Sequence, residues 1–454
     1  MLYPILKLIA HIALKVFFKS LKIKHKALIP QRGPLIVVAN HPNTFMDPIL
    51  IAALLRPQVY FIANSSVFAT PFLKWLFRQL HMIPIQRKTD KVKIDNKEIF
   101  QKCYDFLAGG GTLLIFPEGT SIRARRLQEL KSGTARIALG AESQNDFQLG
   151  LKIVTLGLNY SKPESFRSEV FVNVDEPIVV KDFQEAYETD SFAAANQLTE
   201  VMREKLEKHI IITHTEEEDR LTKQIETVYK SKLNEEIQLS DEPKEQDFLM
   251  TKGIVDAVQH FQEQDPQRIQ RFSPKIERYL RNLDRLNLSD EVFARKSPQN
   301  GIFRASLQTA FYFVLGFPLF LYGLINNYIP YIIPSKVASK VVQWSKAEEY
   351  TAPVMMITGI FSFSFFYIVQ LIAVQWIFQN WWLTLFYFIS LPISGFFALF
   401  YANYLHDTQD KWRLFALFYK RTDLVATLVQ QRKEIIRELE KAKEDYLGFY
   451  AGKE

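Results

Sequence analysis

Cysteine is almost missing from this chain. Its 454 residues include one, Cys103, so no disulfide can form within it, which fits a reducing compartment. There is no Walker A loop, no paired C-x-x-C, no G-x-G-x-x-G turn and no internal repeat, so the sequence signals for a P-loop, a zinc ribbon, a dinucleotide fold and a solenoid are all lacking. Carboxylates are scarce at the start: residues 1–89 hold one, Asp47, against twelve Lys and Arg. Lys and Arg are absent from Met355–Phe378 and from Trp382–Leu405. The N-terminal apolar run has no small-residue cleavage site after it, so it reads as a membrane-lying helix rather than a secretory signal.

The residues that are present point to an anion and to a membrane. The net charge of +7 and pI near 9.1 suit nucleic acid, a phosphorylated substrate or an anionic lipid face. No nucleic-acid-binding motif is found, and the basic residues accompany apolar segments, which disfavours the first. Phe and Tyr, 37 and 19 in all, are enriched in residues 305–405, as expected of a chain that meets two solvents. Lys7, His11, Lys15, Lys19, Lys22 and Lys26 recur every three or four residues. That spacing predicts an amphipathic, membrane-associating helix over residues 1–29, with Ile5, Leu8, Ile9, Ile12, Val16 and Phe17 elsewhere around it.

Residues 30–210 alternate short β-branched runs (34–39, 59–62, 112–116, 152–158) with helical stretches (49–55, 71–80, 93–107, 133–141). This pattern predicts an α/β domain whose strands are buried on both faces. Residues 170–180 add a pair of strands turning near Asp175. Residues 211–300 are charge-rich and predict a solvated helical accessory region without site chemistry. Residues 301–405 form the membrane part. Met355–Phe378 and Trp382–Leu405 are each long enough to span a bilayer and are joined by a three-residue turn beginning at Gln379. A third run, Leu307–Ile333, is broken by Gly, Asn and Pro and fits either a crossing or a re-entrant hairpin. The basic tail, 406–454, is expected to be helical and cytoplasmic. With the catalytic domain also cytoplasmic, the number of crossings must be even, which favours two crossings and a re-entrant first run.

Three stretches carry chemistry. Asn40–Pro48 (NHPNTFMDP) follows a strand, so His41 is expected at a strand's C-terminal end, where open α/β sheets place ligands. Histidine there suits a general base, and Asp47 is the local residue able to orient it; Asp47 also suits a helix cap, and the two roles are compatible. Phe116–Ser121 (FPEGTS) follows another strand. Gly119 permits a left-handed turn whose amides can meet an anion, and Arg123, Arg125, Arg126 and Lys131 come directly after. Arg87 ends a third apolar run, Ile83–Arg87, as a second phosphate-binding candidate.

In this order, the three stretches resemble the glycerolipid acyltransferase superfamily, which includes glycerol-3-phosphate and 1-acylglycerol-3-phosphate acyltransferases. Its N-H-x4-D block is similar to Asn40–Asp47, its F-P-E-G-T block matches Phe116–Thr120, its arginine-ended block is similar to His81–Arg87, and Ile153–Tyr160 takes the place of its fourth. Leu130–Gly133 resembles the L/F-K-x-G that follows the third block. Departures are five residues rather than four between His41 and Asp47, His81 for glycine, Thr155 for proline and Ser121 for arginine. The resemblance implies an α/β acyltransferase domain with a mixed sheet flanked by helices, followed by C-terminal transmembrane helices. It implies transfer of an acyl group from acyl-CoA or acyl carrier protein, as co-substrate and without cofactor or metal, to a glycerol-phosphate lipid precursor at a membrane. His41 and Asp47 are then catalytic, and Arg87, Glu118, Gly119, Thr120, Arg123 and Lys131 bind substrate. A lysophospholipid remodelling acyltransferase, or a catalytically silent membrane scaffold, is the alternative.

Overall fold

The computed structural model describes residues 2–454 except 56–57, 65–70, 72–73, 76–78, 80, 86–95, 123, 239–242, 295–301, 421 and 452–454. The chain forms two compact units, residues 1–212 with 334–358, and residues 213–333 with 359–454.

The first unit is built on one sheet. Its strands are β1 (Ser20–Lys24), β2 (Leu35–Ala39), β3 (Val59–Asn64), β4 (Met82–Ile85), β5 (Thr112–Ile115), β6 (Lys152–Tyr160), β7 (Glu169–Val174) and β8 (Ile178–Val179). Their order is β1-β7-β6-β2-β5-β3-β4, with β8 also on β6. From β4 to β6 all neighbours are parallel, whereas β7 runs antiparallel to β6. The sheet is therefore mixed, as expected. The strands predicted to turn near Asp175 do not pair with each other; β7 and β8 lie along successive parts of β6 instead.

The helices of this unit are α1 (Leu2–Phe17), α2 (Met46–Leu54), α3 (Asn96–Ala108), α4 (Gly133–Ser143), α5 (Gln184–Thr189) and α6 (Ser191–His209). The apolar β runs have no polar side because both faces are covered. Ile36, Val38, Leu113 and Ile153 pack with α3, α4 and α6. Leu35, Val37, Leu114 and Val154 pack with α1, α2 and with Ala352 and Met356 from far down the chain. A buried aliphatic side chain is worth about 1.5–3 kcal/mol, so this two-sided burial is the main support of the central strands.

The helix expected over residues 1–29 stops at Phe17. Ser20–Lys24 pairs in register with Glu169–Asn173 as a strand. Ser-Leu-Lys-Ile-Lys alternates with period two, and a run of lysines spaced at three or four cannot by itself separate that from a helix. On α1, Leu14 and Phe17 are buried, while Ile5, Leu8, Ile9, Ile12 and Val16 face outward. An outward apolar stripe on a basic helix is the composition of an interfacial helix.

The second unit holds α7 (Glu216–Gln238), α8 (Pro243–Gln264), α9 (Pro266–Arg285), α10 (Glu291–Ala294), α13 (Trp381–Lys420), α14 (Thr422–Ala451) and parts of α11 (Ile302–Ser345) and α12 (Thr351–Phe378). The accessory region is more than a set of solvated helices. Val228, Ile276, Tyr279 and Leu283 form a core with Leu428 and Ile435 of the tail. Arg432 holds buried Asp290 through Nε at 3.0 Å and Nη2 at 3.1 Å, and the Tyr279 hydroxyl donates to the same carboxylate at 2.6 Å.

Among the described residues, three helical stretches are long and apolar enough to cross a membrane: Phe313–Ser345, Glu348–Phe378 and Trp381–His406. The first run is one continuous helix, not a re-entrant hairpin. Its prolines were read as breaks because each removes a main-chain donor. Neighbouring helices supply the missing donors. Pro330 leaves the Asn326 carbonyl free, and Gln370 Nε2 donates to it at 2.9 Å. Pro334 frees the Pro330 carbonyl, and Ser362 Oγ donates there at 3.1 Å. Such substitution is how membrane helices tolerate proline. Gly323 allows close packing, since a Cβ there would lie 2.2 Å from the Ser394 carbonyl oxygen.

α14 shares a core with α7 and α9, so the chain just before and just after the apolar helices packs together. In a Cys103→Ser background, cysteines placed at Asn287 and Gly448 should react with an impermeant maleimide from the same side. Labelling of positions 287 and 448 from opposite sides would overturn this arrangement.

Candidate active site

The site follows from strand order. Strands β2, β5 and β6 are adjacent and parallel, so their C-terminal ends open on the same edge. Those ends carry His41, Phe116 and Tyr160. Beyond β2, Asn40 extends the pairing with its side chain: Oδ1 accepts from the Leu158 amide at 2.7 Å, and Nδ2 donates to the Leu158 carbonyl at 3.0 Å. His41 is thereby set at a fixed height above the sheet.

Residues 41–47 form a turn, not a helical offset. Thr44 takes a left-handed conformation with φ 29°, and α2 begins at Met46. A turn absorbs the fifth intervening residue that a helix would not. His41 Nδ1 lies 2.9 Å from Asp47 Oδ2. The same oxygen accepts the Asn43 amide at 2.7 Å, so Asp47 supports both the imidazole and the turn entering α2. The Asp47 side chain is fully buried and that of His41 remains 17% exposed, which leaves the imidazole reachable from outside. With Nδ1–H given to the carboxylate, Nε2 keeps a lone pair and can take a proton. Phe116 stacks on the imidazole, with centroids 4.0 Å apart and planes at 15°.

Glu118 does not extend freely into the opening. One carboxylate oxygen accepts the His41 amide at 2.7 Å and the other the Gln128 amide at 2.9 Å. Burial pushes its carboxyl up, and the two amides pull in the opposite direction. It ties the turn after β5 to the turn after β2. Glutamine at this position puts an NH2 against one of two amide donors. Glu118→Gln should therefore lower stability by about 1–3 kcal/mol, the cost of an unsatisfied buried group. Urea unfolding followed by circular dichroism would measure it, and an unchanged midpoint would refute the brace.

Gly119 has φ 66° and closes a turn onto the Phe116 carbonyl at 3.0 Å. The Lys131 ammonium lies 2.7 Å from where a Cβ on Gly119 would stand, so this cation sits over the turn. Thr120 is half-buried on the same loop. Ser121 Oγ accepts the Thr44 amide at 2.9 Å, and the Thr44 hydroxyl donates to the Glu349 carbonyl at 2.9 Å. The junction between α11 and α12 thus contributes main chain beside the turn that follows His41, which nothing in the linear sequence indicated. Arg87 and Arg123, both expected to bind substrate, lie outside the described residues. Of the remaining expected residues, the fold brings His41, Asp47, Glu118, Gly119, Thr120 and Lys131 to one edge. Phe116, Ser121, Thr44 and Tyr160 join them without having been singled out. For Tyr160 the available signal was its place at the end of the fourth apolar block.

Residues 20–159 match the model of the family described as Acyltransferase. Glycerol-3-phosphate O-acyltransferase 2 of Saccharomyces cerevisiae is 42% identical over 88 residues, covering 19% of this chain and 12% of the yeast protein. The 1-acyl-sn-glycerol-3-phosphate acyltransferase LPAT1, chloroplastic, of Arabidopsis thaliana is 27% identical over 135 residues, covering 30% of this chain and 36% of the plant protein. The chain thus spans well under half the length of either relative. The crystal structure of the 1-acyl-sn-glycerophosphate (LPA) acyltransferase PlsC from Thermotoga maritima aligns with 44% of this chain and 79% of that one, at 21% identity and a TM-score of 0.33. Residues 20–159, the part that matches the Acyltransferase family model, hold His41, Asp47 and the Phe116–Thr120 turn.

Proposed function

We propose that this chain is a membrane-bound O-acyltransferase that moves a fatty acyl group from acyl-CoA or acyl carrier protein to glycerol-3-phosphate or 1-acylglycerol-3-phosphate. The observation that carries this reading is the His41–Asp47 pair at 2.9 Å, set on the same edge as the Phe116–Thr120 turn. His41 Nε2 takes the proton of the acceptor hydroxyl. The oxygen attacks the thioester carbonyl carbon, the C–S bond breaks, and the thiolate leaves and takes up a proton. Asp47 holds the imidazole and balances the charge it gains. The turn at Gly119 offers main-chain amides to the carbonyl oxygen or to the acceptor phosphate, and Lys131 adds a cation there. Arg87 and Arg123 are the further phosphate ligands in this reading. The outward apolar face of α1 and the long apolar helices bring the site to a lipid surface, with the catalytic domain on the cytoplasmic side.

The test is acyl transfer by the purified full-length protein, offered labelled glycerol-3-phosphate and 1-acylglycerol-3-phosphate in parallel, with acyl-CoA and acyl carrier protein as donors. Label recovered in an acylated product supports the reading and identifies the acceptor. A folded protein that acylates neither, with either donor, would overturn it.

A further inference from the structure

Asp47 receives three donors, and one of them has no part in the mechanism above. The Tyr160 hydroxyl donates to Asp47 Oδ1 at 2.6 Å, while Oδ2 accepts from Asn43 and faces His41. We propose that Tyr160 is a positioning residue for the His41–Asp47 pair, locking the carboxylate so that Oδ2 stays aimed at the imidazole Nδ1. This inference rests on the acyl-transfer reading for its effect on rate, but not for its effect on the imidazole.

The physical need is specific. The terminal torsion of an aspartate is broad and two-fold, so a carboxylate held through one oxygen can swing or exchange its two oxygens. Distinct donors on the two oxygens remove that freedom. Asp47 has no solvent contact, so no bulk water stands ready to replace a missing partner on Oδ1. Tyr160 is well placed for the task. It is the last residue of β6 and still pairs with Val170 of β7. Its ring lies against Phe18, with centroids 5.9 Å apart. Two residues earlier, Leu158 is clamped to Asn40, next to His41. The phenol oxygen and the imidazole are therefore carried by two strands bolted together at the point of use. Burial, followed by the nearby Asp47 charge, pushes the phenol well above its ordinary range, so it remains a protonated donor wherever the enzyme works.

A packing role alone would be kept by phenylalanine. Tyr160→Phe should lower kcat about 10- to 100-fold, the usual effect of losing an outer partner that orients a catalytic ligand, with both KM values within two-fold of wild type. A second readout needs no turnover. In 15N-histidine NMR of the solubilised full chain, the His41 signal (assigned by its loss in His41→Gln) should report the Nδ1–H tautomer in the wild type and a mixture of tautomers in Tyr160→Phe. An unchanged His41 signal overturns the positioning role, whatever happens to the rate. So does a wild-type kcat in the variant. A changed signal in a protein that transfers no acyl group supports the positioning role and overturns the acyl-transfer reading instead.

Discussion

Replacing His41 with alanine should lower kcat for acyl transfer by at least about 10²–10⁴-fold, the contribution of a positioned general base. The imidazole is a likeness to a base only if its free nitrogen meets the acceptor hydroxyl, and alanine removes that nitrogen without disturbing the strand. The side chain stacks on Phe116 and bonds to Asp47, but the main-chain amide of residue 41 still donates to Glu118 in the variant. Folding should thus survive, as circular dichroism and detergent size-exclusion chromatography can check. The KM for each substrate should move little, because the imidazole acts in the transition state more than in binding. Residual transfer close to wild type would remove His41 from the mechanism and with it the reading of the whole edge.

Replacing Asp47 with asparagine should cost about 10³–10⁴-fold in kcat, because the partner that fixes the imidazole tautomer is lost. Three donors converge on this side chain, from His41, Asn43 and Tyr160. A carboxylate accepts all three. An amide offers one oxygen and one NH2, so at least one donor meets another donor. The imidazole can respond by moving its proton to Nε2, which leaves no lone pair for the acceptor hydroxyl. The same mismatch leaves a buried polar group unsatisfied, at about 1–3 kcal/mol. The measurement is kcat together with a urea midpoint. Loss of stability without loss of kcat would mean that Asp47 serves the entry to α2 alone.

The two effects separate from the brace at Glu118. Glutamine at 118 should loosen both turns and shift the urea midpoint, while the identity of the base is kept. Activity then falls only as far as the turns open. Comparing the three variants distinguishes a residue that reacts from one that aims and from one that holds the loop.

Much of this site could be read from the residues in order. A histidine after an apolar strand, a lone aspartate in a strongly basic segment and a glycine turn after another strand each have a local physical reason, and each has the position expected. The long apolar runs were equally plain, because twenty uncharged residues have few other places to go. What the linear reading misjudged is also consistent. It extended the N-terminal helix through Ser20–Lys24, since lysine spacing alone does not distinguish a period near three and a half from a period of two. It treated Pro330 and Pro334 as breaks, since the donors that mend them, Gln370 and Ser362, come from another helix. It gave residues 211–300 no core, since that core is closed by Leu428 and Ile435 from the distant tail.

The sequence by itself determined the α/β class of the first domain, the presence of a His41–Asp47 pair and the membrane-length apolar helices, because each depends on residue type and short-range spacing. Tertiary structure alone decided that β2, β5 and β6 would be neighbours. From that came the stacking of Phe116 on His41, the use of Glu118 as a brace between two turns and the third donor on Asp47 from Tyr160, 113 residues away. Strand order is set by which apolar faces bury best together, a sum over the whole sheet that no local window contains.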